Sequence, residues 1–504
     1  MARIIQTSEL DTIRLSSYQT LWVYNGLDCC ITRELFSVLR GKLRPDTQLI
    51  YNFERALQAP VLEMMLRGVR VDQTARDEAI EYYKERTALC QRRLNQIAEA
   101  VWGKPLNPRS SAQLKKFFYE ALKLKVIYTR SKGKTVVSLN RATLERLAKQ
   151  KWAALPANLI MASRDSSKKL EFVQRKLSFD NRYRASFHVA RTTTGRQSSS
   201  KGADGSGGNF QNWEDQLRKV FVSDLGMKFA YVDLAQAEAR MVGALVYEAT
   251  GDPSYLDACE SGDLHTITTK LVWPELPWTG DPAADRAVAE RKFYREYTYR
   301  AMSKKVSHGS NYYGKPFTLA VEAKVETKVM EDAQERYFKA FPRIRTWHAY
   351  VIRQLQLTGT LTTPLGRTRR FFGRLSDEDT WKKAIAYIPQ SSIADILNLG
   401  LFRVWQRMKE VQVLIQLHDA ILIQYPEDQE STILSSISSI LTFPFTIAGR
   451  EVTIPCDIQV GWNWAHQSPK HPEDNPDGLV NWSGDDTRQR KNDPSLPMFY
   501  RGVF

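Results

Sequence analysis

Two carboxylates carry the first chemical signal. Asp419 lies inside "LIQLHDAILIQYP" (414–426), an apolar run otherwise suited to a buried strand, with His418 beside it. Asp233 ends a second apolar run, "FAYVD", just before a stretch of good helix formers. A lone acid in such surroundings costs several kcal/mol if it stays charged, and its pKa rises. For Asp419 a plain structural reading is open: "HDA" marks a hairpin tip between strands 411–417 and 420–425. Two acids exposed at adjacent strand ends have a sharper use, because together they can share divalent cations. Hard oxygen ligands suit Mg²⁺, which keeps waters and takes its remaining ligands from substrate phosphates. Two such ions ~3.5–4 Å apart stabilise the attacking and leaving oxygens of an in-line phosphoryl displacement.

A row of cations is the second signal. "RAMSKKVSHGSNYYG" places Arg300, Lys304, His308 and Tyr312 at steps of four. On a helix each step drifts by about 40°, so all four share one side. A solvated helix face explains such a row equally simply. Yet like charges at this spacing repel, and a triphosphate would relieve that through charge-assisted hydrogen bonds. The terminal aromatic could stack on a base.

The elements around these residues are mostly helical. The stretch 51–74 has Leu57, Val61, Met64 and Met65 at helical spacing and stops at Gly68. Residues 75–180 are mostly helical and rich in Lys and Arg, broken by "GKPLNPRSS" and "TRSKGKT"; "LNPRSSAQLKKFFYEALKL" reads as a turn leading into a helix with Ser capping. A Gly/Ser/Thr-rich loop (190–213) leads into the Asp233 strand and a helix over 235–247. Helices resume over 263–350. "GTLTTPLGRTRRF" reads as a hairpin with a basic tip, and "IPQSSIADILNLGLFRVWQRMK" as an amphipathic helix. The polar, Pro-rich tail after Trp464 reads as a loosely held extension, in which "PMFYRGVF" could dock.

Composition narrows the function. At 504 residues, 42% hydrophobic and 25% charged, the chain can bury a large core, and its length suggests about three or four domain-sized units. Net charge is +16, which points to a polyanion such as nucleic acid. Five cysteines without CxxC spacing (Cys29, Cys30, Cys90, Cys259, Cys456) read as reduced thiols, not a disulfide frame or zinc site. There is no signal core and no run of 18 apolar residues. A cytoplasmic protein without membrane partners is expected.

Taken together, these stretches resemble the family A DNA polymerases, the group of bacterial polymerase I and the T-odd phage replicases. "YVDLAQAEAR" resembles motif A (D-x-S-Q-x-E-x-R), "R-x3-K-x3-H-x3-Y" the fingers-helix motif B, and "QLHDA" motif C. "TTTGRQSS…NFQN", "GDLHTITTKLV", "TPLGRTRRF", "IPQSSIADI", "APVLEMMLRGVRVD" and "VGWNW" resemble further family segments in the family's order, so the likeness runs over roughly residues 50–465. It implies an α/β (α+β) multidomain right hand: an antiparallel-sheet palm (49–74, 166–262 and 371–465), a helical thumb (75–165), helical fingers (263–370) and a C-terminal extension (466–504). It also implies template-directed DNA synthesis from dNTPs on primer-template DNA, of phage type.

Site roles follow from the same resemblance. Asp233 and Asp419, with the peptide carbonyl of Leu234, would hold two Mg²⁺ ions, Mn²⁺ being possible. Arg300, Lys304 and His265 would contact the triphosphate, and Lys304 could protonate the leaving pyrophosphate. His308 belongs to the nucleotide-binding row, Tyr312 would guard the template-base position, Glu238 would block a ribose 2′-OH, and Gln236 would orient neighbouring groups. Arg196, Gln211, Asn212 and Gln390 would touch the minor groove, where acceptors look alike for every base pair. His418 would sit beside the primer terminus. The basic region 115–201 would grip phosphates, making DNA binding steeply salt-dependent.

Departures from the family pattern sharpen these expectations. Ala420 stands where motif C ends in Glu, so a third carboxylate is missing. His308 replaces the Phe or Tyr that sets selectivity against chain-terminating sugars. Ala235 replaces a Ser. Tyr313 stands where a Gly follows the aromatic, so a one-residue offset would pair Lys305, Gly309 and Tyr313 instead; the phase through Lys304 keeps Arg300 and Tyr312 in step. "YNGLDCCIT" resembles the last exonuclease motif, Y-x3-D, at Tyr24 and Asp28. Residues 1–48 therefore read as an exonuclease-like remnant that either packs on the palm or completes the site of a separate 3′–5′ exonuclease polypeptide. This chain alone is then expected not to proofread. Replisome proteins (helicase, clamp or processivity factor) are further candidate partners. Two rival readings stand beside the polymerase: a single-subunit RNA polymerase, and a non-catalytic primer-template-binding subunit.

Overall fold

The computed structural model describes residues 16–131, 134–484, 488 and 490. The stretch "PMFYRGVF" lies outside the described residues. Helix α1 (Ser17–Arg40) begins at a capping box, in which Ser16 and Gln19 each accept the other's backbone N–H. It buries none of its residues, and Leu21, Trp22 and Leu39 stay exposed. Of the two readings of residues 1–48, packing on the palm finds no support in this helix. Helix α2 (Pro45–Arg67) starts on a proline and ends at Gly68 as read. It buries Leu57, Val61 and Met64.

Helices α3 (Gln73–Trp102) and α4 (Ala154–Val173) pack along each other. Ser110 caps the short helix Ser111–Lys115, as expected. Leu94, Leu106, Phe117, Phe118, Leu144, Leu147 and Ile160 form an apolar core distinct from the main one. Sequence reading did not anticipate the hairpin Tyr128–Ser131 and Lys134–Val137 within this region.

The main core surrounds one antiparallel sheet. Strand β1 (Met227–Leu234) leads into α5 (Ala237–Thr250). Helices α6 (Leu264–Val272) and α7 (Tyr299–Asn311) then pack together. Helix α8 (Glu378–Arg407) precedes β2 (Gln412–Leu417), β3 (Ala420–Pro426), β4 (Cys456–Gly461) and β5 (Val480–Asn481). The spatial order is β2-β3-β1-β4-β5. The apolar run around Asp419 is thus a hairpin, with strands close to those expected. The helix Glu430–Leu441 packs on β3 and β4. There Glu430 accepts from Lys228 at 2.6 Å and from the Tyr425 hydroxyl at 2.8 Å.

Two expectations need correction. Helix α8 is not amphipathic over its middle: every residue from Ser391 to Asn398 is buried, because this stretch runs through the core. The tail after Trp464 is not loosely held over its described length. Strand β5 pairs with the free edge of β4, Leu479 and Asp477 are buried, and the Trp482 N–H donates to Ile458 O. An open strand edge offers unpaired backbone groups, and this segment satisfies them. No helix among the described residues is long and apolar enough to cross a membrane. All five cysteines are free thiols.

The hairpin read from "GTLTTPLGRTRRF" is present, but its basic tip turns partly inward. Arg367 is half-buried between the buried Asp395 of α8, at 2.7 Å, and Glu54 of α2. Gly195 makes room for it: its φ is +76°, and a Cβ there would lie 2.7 Å from the guanidinium carbon. Removing one partner of a buried ion pair costs about 3–5 kcal/mol. Arg367→Ala is expected to lower urea-unfolding stability by about 3 kcal/mol or more. A loss under about 1 kcal/mol would mean that water enters and solvates the two acids.

Candidate active site

Asp233 and Asp419 meet because of strand register. Asp233 is the penultimate residue of β1, directly paired with Ala420 of β3. His418 and Asp419 form the two-residue turn between β2 and β3, closed by the pairing of Leu417 with Ala420. The Leu234 N–H donates to the Asp419 carbonyl at 3.0 Å, locking that turn onto β1. His418 has φ +50°, a strained left-handed conformation for a branched ring residue. Gln236, at φ +53°, makes the turn from β1 into α5. The imidazole inside the apolar run is therefore exposed at the end of the hairpin, with the acid half-buried beside it.

The electrostatics are those of a site built for cations. Burial raises the Asp233 carboxyl to about 7, reinforced by the charges of Asp419 and Asp457 and opposed by Lys304 and His466. Burial also raises Asp419, with the Glu238 charge adding to it. No group of three or more His, Cys, Asp or Glu is arranged to hold a metal among the described residues. The donor set is hard oxygen and incomplete, which suits an ion that draws its other ligands from water and substrate phosphate.

Facing these acids is a cleft of about 430 Å³. Its lining includes Asp233, Leu234, Gln236, Glu238, His265, Lys304, His308, Tyr312, Asp419 and Asp457. Lys304 and His308 come from α7, and Tyr312 caps its C-terminal end. The alternative phase is turned away. A Cβ on Gly309 would collide with Leu319, and Tyr313 packs edge-on against His348. His265, near the start of α6, is lowered to about 4 by burial and by Lys304 and Arg300, so its imidazole is neutral at pH 7. Its Nδ1 and the Gln236 Oε1 are buried without a hydrogen-bond partner among the described residues. These are open polar contacts for a ligand.

Glu238 ties the lining together. It accepts from Arg196 Nη2 at 2.9 Å and lies 3.5 Å from His308 Nδ1. Burial, then the Glu238 charge, push the Tyr312 hydroxyl well above its ordinary value, with Gln390 close by. Arg196 also reaches the fields of His418 and Asp419. Arg300 is the member of the row placed elsewhere. It donates to Asp263 at 2.9 Å and faces Glu290 at 3.6 Å. Burial alone would raise Asp263, but hydrogen bonds from Arg300 and Thr266 outweigh it and bring the group down to about 2. Gln211 is not in the cleft; its amide donates to Gln197 O, and Asn212 beside it is exposed.

Sequence reading missed Asp457. It sits on β4 directly opposite Asp233 and lines the same cleft. The one available signal was an acid alternating with buried Ile458 and Val460 in "CDIQVG"; its partner strand could not be read from spacing.

The site thus sets two acids, one at a strand end and one in the adjoining turn, beside a cation-bearing helix. Over residues 77–466 the chain matches the sequence model of DNA polymerase family A, and it belongs to that family. It is 25% identical to the thermostable DNA polymerase I of Thermus filiformis, over 86% of this chain and 50% of that protein. It is 26% identical to DNA polymerase I of Caldicellulosiruptor bescii, over 83% and 47%. The chain thus spans about half the length of the curated relatives it matches, and these are bacterial proteins. Its fold resembles the POL domain of Pol1 from M. smegmatis, solved in complex with DNA primer-template and dNTP. The TM-score is 0.65 at 21% identity, covering 82% of this chain and 70% of that one. The expected mixed helix-and-sheet, multidomain polymerase fold is the one observed.

Proposed function

We propose that the chain is a DNA-directed DNA polymerase that extends a primer 3′-OH with dNTPs and releases pyrophosphate. One observation carries the reading: the pairing of Ala420 with Asp233 sets Asp419 and Asp233 at one point, under Lys304 and His265. In this reading 49–74, 166–262 and 371–465 form the palm, 75–165 the thumb and 263–370 the fingers. Primer-template DNA, dNTPs, replisome proteins and a separate 3′–5′ exonuclease chain are its partners, and its setting is phage-type replication in a cytoplasm.

Asp233, Asp419 and the Leu234 carbonyl would hold two Mg²⁺ ions, which supply activation of the 3′-OH and charge neutralisation at the α-phosphate. The chain's own groups do the rest. Neutral His265 donates to the triphosphate without adding charge, while Lys304 offers both charge and a proton for the departing pyrophosphate. Arg300 joins them by exchanging Asp263 for phosphate when α7 closes on a fitting pair. His308 and Gln236 flank the nucleotide, and Tyr312 screens the template base. Arg196, Gln390, Gln211 and Asn212 check the minor groove, and His418 rests by the primer end.

The direct test is extension of a primed template by the pure protein with Mg²⁺ and dNTPs. Absence of extension sinks the reading, and efficient use of NTPs would favour an RNA polymerase. Glu238 fences the ribose 2′ position, so Glu238→Ala is expected to raise the NTP-over-dNTP ratio of kcat/KM by about 10²-fold or more. Unchanged selectivity would return Glu238 to a purely structural partner of Arg196.

A further inference from the structure

We infer that the segment after Trp464 builds a seat for the 3′-terminal nucleotide of the primer, with Asn481 and Trp482 as its hydrogen-bond donors. The inference rests on the polymerase reading above. A second cavity, of about 530 Å³, meets the nucleotide cleft at Asp233 and Asp457, which line both. Tyr231, Gln459 and Asn481, consecutive partners across β1, β4 and β5, line it on one face of the sheet, with His466 and Trp482 beside them. That row stands two residues, about 6–7 Å, along the strands from the Asp233–Asp457 pair. No residue of α6 or α7 lines this cavity. In-line displacement brings the attacking 3′-OH to the α-phosphate from the side opposite the departing pyrophosphate. With the triphosphate held by Lys304 and His265 in the first cleft, the primer end belongs in the second.

The hydrogen bonds around the cavity run one way and end on open donors. His466 donates from Nδ1 to Asp215 and from Nε2 to Gln459 Oε1 at 2.8 Å. Gln459 Nε2 in turn donates to Asn481 Oδ1 at 3.0 Å. The Asn481 amide is thereby oriented, and its Nδ2 has no partner among the described residues. The Trp482 indole N–H is buried and likewise without a partner. A buried donor left unpaired is a cost to the fold, which a bound acceptor removes. A ring that donates from both nitrogens is cationic, and the His466 charge is felt at Asp233. Two free donors beside a cation suit the phosphate of a nucleic-acid strand, and the indole offers apolar area to its sugar. Covering the edge of β4 needs only the backbone of β5, so it does not account for these side chains. Both residues lie beyond 77–466, the stretch that matches the family model.

Steady-state extension and equilibrium binding of a primed template test this on the full chain. Asn481→Asp keeps the oxygen that Gln459 needs and replaces the free donor with a negative charge. Trp482→Phe removes the indole N–H and keeps an aromatic ring. Each is expected to raise KM and Kd for primer-template about 10-fold, the weight of one hydrogen bond to a charged group. KM for dNTP should stay within about 2-fold, a split that a general loosening of the palm would not produce. A primer whose last internucleotide linkage is a methylphosphonate carries no charge there. It should bind wild type about 10-fold more weakly than the natural primer, and Asn481→Asp no more weakly. Unchanged primer KM in either variant, or the same methylphosphonate penalty in wild type and Asn481→Asp, overturns the inference and leaves the polymerase reading standing. Failure of wild type to extend any primer sinks both. Asn481 is exposed, so thermal midpoints should stay within a few degrees, and the methylphosphonate comparison reads each protein against itself.

Discussion

Asp233→Ala and Asp419→Ala each abolish primer extension, with a loss of at least about 10³-fold in kcat, while primer-template binding persists. A factor of 10³ corresponds to about 4 kcal/mol of transition-state stabilisation. That is a modest demand on a group that positions charge at the reacting phosphate. DNA affinity is carried by cations spread over the protein, not by these two acids, so a gel-shift constant should stay within a few-fold of wild type. A variant that extends primers at a tenth of the wild-type rate or better would remove either residue from the chemistry.

The same pair of acids gives a stability signature that separates catalysis from misfolding. Asp233 is held at about 7, above its ordinary 3.8, by burial first and by neighbouring acids second. The native state therefore binds this proton more tightly than the unfolded chain. Stability contributed by the group falls as pH rises from about 4 to about 7, and the loss is complete above that. Asp233→Asn removes the charge while keeping the shape. Without divalent ions at pH 8 it should melt no lower than wild type, and higher if the repulsion is uncompensated. A protein can give up stability in this way to keep a reactive arrangement. A marked drop in melting temperature would show instead that the carboxylate supports the fold.

The chemistry was more legible in the sequence than the positions that frame it. Asp233 and Asp419 stood out because an acid in an apolar strand contradicts the local pattern, and such contradictions collect at functional sites. Lys304, His308 and Tyr312 were readable because helical phase is a local property. Asp457 was not, because the strand that pairs with β1, and its register, depend on chain segments more than two hundred residues apart. Arg300 shows the same limit: its phase on α7 was right, but its pairing with Asp263 belongs to a neighbouring helix. All-round burial of the middle of α8 and docking of β5 on β4 were missed for a related reason. Polar residues such as Ser391, Ser392, Asp395 and Asn398 looked like a solvent face, yet all four are buried. Two of them have side-chain partners from distant segments: Asp395 binds Arg367, and Asn398 accepts from Gln197.

Lys304 is the remaining position where a large effect is expected, and its variants divide charge from proton. It lines the cleft beside His265, and its charge is felt at Asp233. Lys304→Ala should raise KM for dNTP and lower kcat by about 10²–10⁴-fold, the range of a positioned general acid. Lys304→Arg keeps the cation but surrenders its proton far less readily. It should recover most of KM and leave kcat about 10²-fold down. Full recovery by arginine would reduce Lys304 to an electrostatic clamp on the triphosphate. Lys305, one step round α7 and outside the cleft lining, is the control: Lys305→Ala should stay within about 2-fold of wild type, as surface changes away from a site usually do. A collapse of activity there, with Lys304→Ala active, would shift the working face of the helix by one residue and replace the Lys304–His308–Tyr312 row with the Lys305–Gly309–Tyr313 one.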